Sequence, residues 1–269
     1  MNAIVGGSRR PSLSVAIITR DEQHNVRACL ESVAWADEII VLDSGSTDGT
    51  VEMSRSLGAH VDVTDWPGFG AQKNRAIERC GCDWILSLDA DERVTAQLRA
   101  EIEQAMASPG DHVAFRMPRR STYCGRAMRH SGWWPDYVTR LFRRGRARFS
   151  DDLVHERLLP DGAIGTLEQP LTHETSVDLE EVLDKLNRYS SAGAQRLSRS
   201  GVRGSLSRAV GHGVWAFLRT YLVRAGFLDG REGFMLAVSN AEETYYRYLK
   251  LMLLQRAKNF GSTRIASNE

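Results

Sequence analysis

Cysteine is scarce in this chain, and its spacing excludes two common classes of site. Four of the 269 residues are cysteine, and Cys80-Gly81-Cys82 has no second pair and no histidine at zinc-ligand spacing. The sequence therefore predicts neither a structural zinc site nor a disulfide framework. Free thiols are typical of a protein that stays in the reducing cytosol.

Long apolar runs are also missing. No segment approaches the ~20 consecutive apolar residues that a membrane-spanning helix needs, and the N-terminal residues lack the apolar segment of a signal peptide. We therefore predict a cytoplasmic protein without a membrane span.

The chain lacks an overall charge of either sign, because 35 basic residues nearly balance 34 acidic ones. The charges are unevenly distributed, however. Residues 116–148 contain ten arginines and one acid, and residues 185–228 contain eight basic residues and no acid. These segments suit an anionic partner, such as a phosphorylated substrate or acidic lipid headgroups, and a solvated basic face is the alternative. A nucleic-acid partner is not expected.

Short apolar runs alternate with amphipathic segments in the first part of the chain. Strands are predicted at residues 13–19, 38–43, 60–63 and 84–89, and helices at 24–33, 48–57 and 71–79. This alternation is typical of an α/β fold whose parallel sheet is covered on both faces by helices. Right-handed crossovers bring the carboxyl ends of the strands to one edge, where ligands of such sheets bind.

The alternation of strands and helices ends after residue 110, where shorter strands are predicted. Residues from Asp178 onward are predicted to be helical, with Asp178 and Glu181 as a capping pair. We predict four parts. They are a disordered lead-in at 1–11, an α/β domain at 12–175 with halves at 12–110 and 111–175, a helical region at 176–255, and a flexible tail at 256–269.

Two carboxylates mark the end of the fourth strand. Asp89 and Asp91 are two residues apart, so on an extended chain they face the same side. Their charges repel unless a cation joins them, and two oxygen ligands with open positions suit Mg²⁺ or Mn²⁺ carrying a substrate phosphate. A solvated turn before a helix is the alternative, because acids are favoured at helix starts.

Asp43 ends the second strand and precedes a turn rich in glycine and hydroxyl residues, SGSTDGT at 44–50. Its carboxylate can accept a hydrogen bond from a base N–H or a ribose hydroxyl, and the turn leaves room for a flat ring. A well-capped turn without a ligand is the alternative. Neither a Gly-x-Gly-x-x-Gly fingerprint nor a P-loop is present, which disfavours dinucleotide and P-loop sites.

Three motifs, taken in order, resemble the family-two inverting glycosyltransferases: SVAIITRDE at 14–22, VLDSGSTDGT at 41–50 and LDADE at 88–92. GFGAQKNR at 68–75, PDYVTRLF at 135–142, VHE at 154–156 and FLDGREGF at 227–234 are similar to a subgroup, the lipopolysaccharide-core β-1,4-glucosyltransferases. The resemblance covers residues 13–255 and implies a GT-A type domain followed by helices. One departure is Asp21, where relatives usually have asparagine.

The resemblance implies that residues 12–110 bind the nucleotide and 111–175 the acceptor. The nucleotide-binding residues it implies are Thr19, Asp21, Glu22, Asp43, Lys73 and Asp89. Asp91 would ligate Mg²⁺ or Mn²⁺ at the diphosphate, with Asp89 and His155 as further candidate ligands.

An inverting transfer needs a base for the acceptor hydroxyl. Glu156 is the first candidate, because it follows the arginine-rich stretch, and Asp136 and Asp152 are alternatives. His155 and His173 can ligate a metal or contact phosphate, or they are structural. Trp133 and Trp134 stack on a sugar or pack in the core.

The reaction implied by the resemblance is transfer of glucose from UDP-glucose to an inner-core heptose of lipopolysaccharide. The partners are then a UDP-sugar, the lipopolysaccharide acceptor and the cytoplasmic face of the inner membrane. The basic segment with Trp215, Phe217, Tyr221 and Phe227 fits an anionic bilayer or a packed helix.

Three alternative functions are compatible with parts of the sequence. They are transfer to polyprenyl phosphate or another cell-envelope glycan, a sugar-nucleotide pyrophosphorylase, and a non-enzymatic nucleotide- or metal-binding module. A pyrophosphorylase needs a glycine-rich N-terminal loop, and residues 14–21 contain no glycine.

Overall fold

The computed structural model describes residues 10–150, 156–175 and 178–266, with side chains as far as residue 257. The chain divides into two compact units. The first comprises residues up to Arg119 together with Asp136–His173, and the second comprises Arg120–Pro135 and the residues from Glu174 onward. Most of the predicted lead-in, residues 1–9, lies outside the described part.

The strands are, in chain order, β1 (Leu13–Thr19), β2 (Glu38–Asp43), β3 (His60–Val63), β4 (Trp84–Asp89), β5 (Glu92–Arg93), β6 (His112–Tyr123), β7 (Arg126–Ala127), β8 (Asp136–Arg143), β9 (Ala147–Phe149), β10 (Leu158–Pro160), β11 (Ala163–Thr166) and β12 (Leu171–His173). The helices are α1 (Gln23–Ser32), α2 (Thr50–Ser56), α3 (Phe69–Glu78), α4 (Ala96–Ala107), α5 (Leu179–Arg199), α6 (Leu206–Leu218) and α7 (Gly230–Ala266). The first four predicted strands are confirmed.

The sheet of the first unit has the strand order β3-β2-β1-β4-β8-β6-β12-β5. β1 is parallel to both β2 and β4, and β2 is parallel to β3. The predicted parallel sheet is therefore confirmed for these four strands. β8 then runs antiparallel to β4 and β6, so the complete sheet is mixed.

Both faces of the parallel part are buried. Successive residues of a strand point to opposite faces, and in β1 Val15 belongs to one apolar cluster whereas Ala16 belongs to the other. The first cluster includes Leu30 of α1 and Ile102 of α4, and the second includes Ala76 of α3. Helices on both faces explain why these strands have few polar residues.

The second unit is mainly helical, as predicted, and contains α5, α6 and α7. A π-helical turn at Arg219–Val223 and a 3₁₀ turn at Gly226–Asp229 connect α6 to α7. The predicted capping pair is confirmed, because the Asp178 side chain accepts a hydrogen bond from the backbone N–H of Glu181 at 2.9 Å. None of the described helices is long and apolar enough to cross a membrane.

Two sequence boundaries differ from the structure. Residues 120–135 belong to the second unit, not to the α/β domain, because Trp133 packs edge-on against Tyr123 in an apolar cluster with Leu236 of α7. α7 also continues to Ala266, well beyond residue 255, where the sequence predicts the end of the helical region.

Candidate active site

The polar residues predicted to converge do so at the carboxyl ends of the parallel strands. Thr19 of β1 is in register with Asp43 of β2, and Ile18 is in register with Asp89 of β4. The strand order β2-β1-β4 thus brings three polar strand ends to one edge of the sheet. This edge is the candidate active site.

Asp43 is fully buried and organises the turn that follows β2. One carboxylate oxygen accepts hydrogen bonds from the backbone N–H groups of Gly45 and Ser46 at 2.9 and 2.8 Å. The other accepts bonds from the hydroxyl groups of Thr19 and Ser46. Gly45 has φ +80°, a conformation that glycine adopts without strain. The carboxylate therefore fixes the shape of the turn.

Asp21 connects the loop after β1 to the turn after β2. Its backbone N–H donates to the Ser46 hydroxyl at 2.8 Å, and its carboxylate accepts a bond from the Thr47 N–H at 2.7 Å. Asp21 has φ 54°, in the left-handed region that aspartate and asparagine tolerate better than most residues. This conformation is therefore compatible with aspartate at the position where the sequence resemblance implies asparagine. The adjacent Glu22 donates its N–H to the Thr50 hydroxyl at 2.8 Å.

Lys73 of α3 is a buried cation between two carboxylates. Its side chain is 4% exposed, and its ammonium nitrogen lies 2.8 Å from Asp89 and 2.9 Å from Glu156. The start of α3 lies so close to the chain before Glu156 that a Cβ atom at Gly70 would be 2.0 Å from the Ser150 carbonyl oxygen. The glycine permits the approach that brings Lys73 to Glu156.

Two arginines add further ion pairs to the contacts of Lys73 with Asp89 and Glu156. Arg140 of β8 contacts Asp89 and, at 2.6 Å, the fully buried Glu92. Arg119 of β6 lies 3.6 Å from Glu92 and 2.6 Å from Asp136. Carboxylates and cations thus alternate in the order Glu156, Lys73, Asp89, Arg140, Glu92, Arg119 and Asp136, a series that we call the ion chain.

Asp89 stays ionised in this surrounding. Burial opposes its charge, but the positive charges of Arg140 and Lys73 outweigh burial and hold the Asp89 pKa well below its usual range. Burial likewise opposes the charge of Arg140, and the nearby Asp89 and Glu92 carboxylates raise the Arg140 pKa above its usual value. Each member of the pair stabilises the charged form of the other.

The two carboxylates of the LDADE motif have different partners. Both oxygens of Asp89 contact cations of the ion chain, whereas Asp91 lies 3.2 Å from Nε2 of His173 at the end of β12. The Asp91 and His173 side chains are 26% and 15% exposed. Within the described ranges, no three His, Cys, Asp or Glu side chains are grouped closely enough to hold a metal ion.

The candidate bases lie in different surroundings. Glu156 is 15% exposed and contacts Lys73, whereas Asp136 is 43% exposed and contacts Arg119. Asp152 and His155 lie outside the described residues. The carboxylate at one end of the ion chain, Glu156, is therefore less exposed than the carboxylate at the other end, Asp136.

Sequence reasoning missed Glu92, Arg119 and Arg140. The two arginines belong to the basic stretch at 116–148, which the sequence analysis assigns to an anionic partner. A charged residue inside an apolar strand was the available signal, since Arg140 precedes Leu141 and Phe142 in β8. A buried arginine of this kind usually has a carboxylate partner in the same protein.

The chain matches the model of the family "Glycosyl transferase family 2" over residues 14–163. This protein is a member of glycosyltransferase family 2. The matched residues include β1, β2, β4 and β8, which carry most of the candidate site, so the family assignment covers the ion chain. The protein is therefore a glycosyltransferase, and its α/β sheet followed by helices agrees with the GT-A type fold implied by the sequence resemblance.

Several relatives are similar along most of their length. The chain is 30% identical to an uncharacterized glycosyltransferase of Rickettsia prowazekii, RP128, over 89% of this chain and 86% of the relative. It is also 30% identical to LpsC of Rhizobium meliloti, named as a lipopolysaccharide core biosynthesis glycosyltransferase, over 88% of this chain and 93% of the relative.

Among solved structures, glucosyl-3-phosphoglycerate synthase from Mycobacterium tuberculosis, in complex with Mn²⁺, UDP and glucosyl-3-phosphoglycerate, is similar with a TM-score of 0.46. The match is 19% identical and covers 73% of this chain and 82% of that one.

Proposed function

We propose that this glycosyltransferase moves glucose from UDP-glucose to an inner-core heptose of lipopolysaccharide, with inversion at the sugar carbon. The observation that carries the proposal is the buried Lys73, held between Asp89 and Glu156 at the carboxyl edge of the sheet. In the proposed site, Lys73 would connect the residues assigned to the nucleotide with the carboxylate assigned as the base. The similarity to LpsC supports the choice of acceptor.

The donor nucleotide would lie against the loops that follow β1 and β2. Asp43 and Asp21 hold these loops in shape through hydrogen bonds to the residues of the SGSTDGT turn. Thr19 and Glu22 lie at the same strand end. Lys73 supplies a positive point charge, which suits a phosphate group. We infer that Asp43 and Asp21 position the nucleotide chiefly by shaping these loops.

Asp91 and His173 would hold the divalent ion. The Asp91 carboxylate is a ligand that Mn²⁺ and Mg²⁺ prefer, and the partly exposed imidazole of His173, 3.2 Å away, is a nitrogen donor that suits Mn²⁺ better than Mg²⁺. Phosphate oxygens and water would complete the coordination. Such an ion would offset negative charge on the departing nucleoside diphosphate. Asp89 is the weaker ligand candidate, because Lys73 and Arg140 already neutralise it. His155 stays a prediction.

Glu156 is the proposed base. An inverting transfer needs a carboxylate that accepts the proton of the acceptor hydroxyl as the sugar bond forms. Lys73 fixes the Glu156 carboxylate through a 2.9 Å contact, so the carboxylate is held in one place before the acceptor arrives. Asp136 is the alternative, at the exposed end of the ion chain.

We also propose that the enzyme works at the cytoplasmic surface of the inner membrane, because the proposed acceptor is a lipid-linked saccharide. Transfer to polyprenyl phosphate or to another envelope glycan is the second candidate, since the same donor site would serve it. The basic segments suit a phosphate-bearing acceptor in either case.

A panel of donors and acceptors tests the proposal. UDP-, GDP- and dTDP-sugars would be offered with lipopolysaccharide truncated at the inner-core heptose, and in parallel with polyprenyl phosphate. We expect turnover with UDP-glucose and the heptose acceptor. Turnover with polyprenyl phosphate alone would establish the second candidate. UDP binding without transfer to either acceptor would instead overturn both proposed acceptors.

A further inference from the structure

Helix α6 of the second unit exposes most of its large apolar side chains and buries three small residues. Its buried positions are Ala209, Gly213 and Ala216. Six large apolar side chains of α6 and the turn after it are between 37% and 55% exposed, and we call them the α6 face: Leu206, Val210, Val214, Trp215, Leu218 and Leu222.

Packing against α7 explains the small residues. A Cβ atom added at Gly213 would lie 3.3 Å from the Ala241 carbonyl oxygen and from the Tyr245 Cβ, so a larger side chain would push the two helices apart. At about 100° of rotation per residue, Val210, Val214, Trp215 and Leu218 lie on the side away from the buried positions, whereas Leu206 is exposed at the first turn of the helix. A helix at a water surface normally has the reverse arrangement, with its large apolar residues directed to the core.

Arginines lie on the same segment. Arg208 and Arg219 are exposed, and at about 100° per residue they lie at one border of the α6 face. Arg203 and Arg224 are exposed beyond its two ends. Because residues 185–228 contain no acid, no carboxylate of this segment neutralises these charges.

A shallow groove lies where the apolar side chains of the α6 face meet an arginine. It has a volume of about 430 Å³ and is lined by Ser207, Arg208, Gly211, His212 and Trp215. A guanidinium group beside an exposed tryptophan is an arrangement found where proteins lie in the headgroup region of a membrane, because the charge meets phosphate and the ring enters the apolar boundary.

We propose that the α6 face docks on a bilayer surface that contains anionic phospholipid, with α6 lying in the plane of the interface. The apolar side chains enter the acyl boundary while Arg208 and Arg219 contact lipid phosphates. This inference rests on the proposed function for its membrane location, and it adds the surface and the lipid class. Only part of the aromatic segment takes part, since Phe217 and Tyr221 pack on Phe234 of α7.

Charge disfavours a second copy of the chain as the occupant. An antiparallel two-fold pairing of the α6 face would bring the arginine border of one copy against that of the other, and residues 185–228 have no acid to separate them. An anionic lipid surface complements the same charges.

Vesicle sedimentation of the full chain tests the inference. The protein would be spun with vesicles of phosphatidylcholine alone and with vesicles that also contain phosphatidylglycerol. The test variants are Val214→Ser with Trp215→Ser, and Arg208→Gln with Arg219→Gln. The matched control is Val63→Ser, because Val63 is 54% exposed on β3 of the first unit. Circular dichroism and calorimetric UDP binding verify that each variant is folded.

We expect binding to the anionic vesicles, with at least about tenfold weaker binding for both double variants and no change for Val63→Ser. The arginine variant should also lose most of the salt dependence. Three results would overturn the inference: no binding by the wild type, equal binding by the variants, or self-association in solution that the Val214/Trp215 variant abolishes without any vesicle binding. UDP binding is measured separately, so failure here is distinct from failure of the glycosyl-transfer proposal.

Discussion

At the scale of single residues, the candidate site depends on where charge is neutralised. Lys73 and Arg140 engage Asp89, which leaves Asp91 as the more available carboxylate of the LDADE motif. By sequence spacing alone, Asp89 and Asp91 are equivalent candidates for binding a metal ion. Their partners on other strands make one a member of the ion chain and the other a candidate metal ligand.

The proposed base gives the first prediction. Glu156→Gln keeps a hydrogen-bonding partner for Lys73 but cannot accept a proton, so transfer should fall by about 10²-fold or more while UDP affinity is retained. Steady-state transfer and calorimetric UDP binding measure the two effects. Asp136→Asn is the matched variant at the other end of the ion chain, and a larger loss there than at Glu156 would move the base to Asp136.

The metal assignment gives the second prediction. Asp91→Asn should weaken Mn²⁺-dependent UDP binding by at least about tenfold without lowering the free energy of unfolding, because Asp91 is outside the ion chain. His173→Gln should act in the same direction. Asp65→Asn serves as the control, since Asp65 is 77% exposed and pairs with Arg75. Unchanged metal dependence in both test variants would contradict the assignment.

At the scale of elements, two loops share one set of hydrogen bonds. Asp21 in the β1–α1 loop bonds Ser46 and Thr47 in the β2–α2 turn, so neither loop has its observed shape alone. The sequence identified both loops as functional. It did not show that Asp21, in the loop after β1, fixes the shape of the turn after β2.

The backbone of Asp21 gives the third prediction. Asp21→Asn should leave the free energy of unfolding nearly unchanged, whereas Asp21→Val should lower it by about 1–2 kcal/mol because a β-branched residue is disfavoured at φ 54°. Asp21→Gly separates the causes, since it keeps the conformation and loses the carboxylate. Urea denaturation measures all three, and equal values for valine and glycine would refute the conformational explanation.

Several arginines of the basic stretch at residues 116–148 are engaged within the folded protein. The composition of residues 116–148 predicts an anionic partner, but several arginines of this stretch have partners within the protein. Arg119 pairs with Asp136, Arg146 pairs with Asp161, and Arg143 lies over the Trp84 ring. These arginines have contacts within the protein, two of them as ion pairs, so fewer arginines are left for an acceptor than the composition suggests.

At the scale of the whole molecule, the ion chain couples folding to pH. The Asp89 pKa is held below its usual range in the folded protein by Arg140 and Lys73, against the effect of burial. An unfolded aspartate titrates near pH ~4. Its contribution to stability is therefore present above about pH 4 and is lost as the pH falls toward the folded pKa.

The fourth prediction follows from the lowered pKa of Asp89 in the folded protein. Between pH 5 and pH 3, as rough limits, the free energy of unfolding should fall more steeply for the wild type than for Asp89→Asn, by up to about 1.4 kcal/mol per pH unit. Urea denaturation at a series of pH values measures both slopes, and Asp65→Asn is again the control. Parallel slopes for wild type and Asp89→Asn would show that Asp89 is not held ionised by the ion chain.

The sequence by itself determined the parallel strands, the edge at which Thr19, Asp43 and Asp89 meet, and the family. These features follow from local hydrophobic periodicity and from the order of motifs. The tertiary structure decided the ion chain and the exposed α6 face. Lys73 and Glu156 are 83 residues apart, and the insertion of β8 beside β4 is what brings Arg140 to Asp89. Periodicity is a local property, whereas the pairing of buried charges depends on which strands become neighbours.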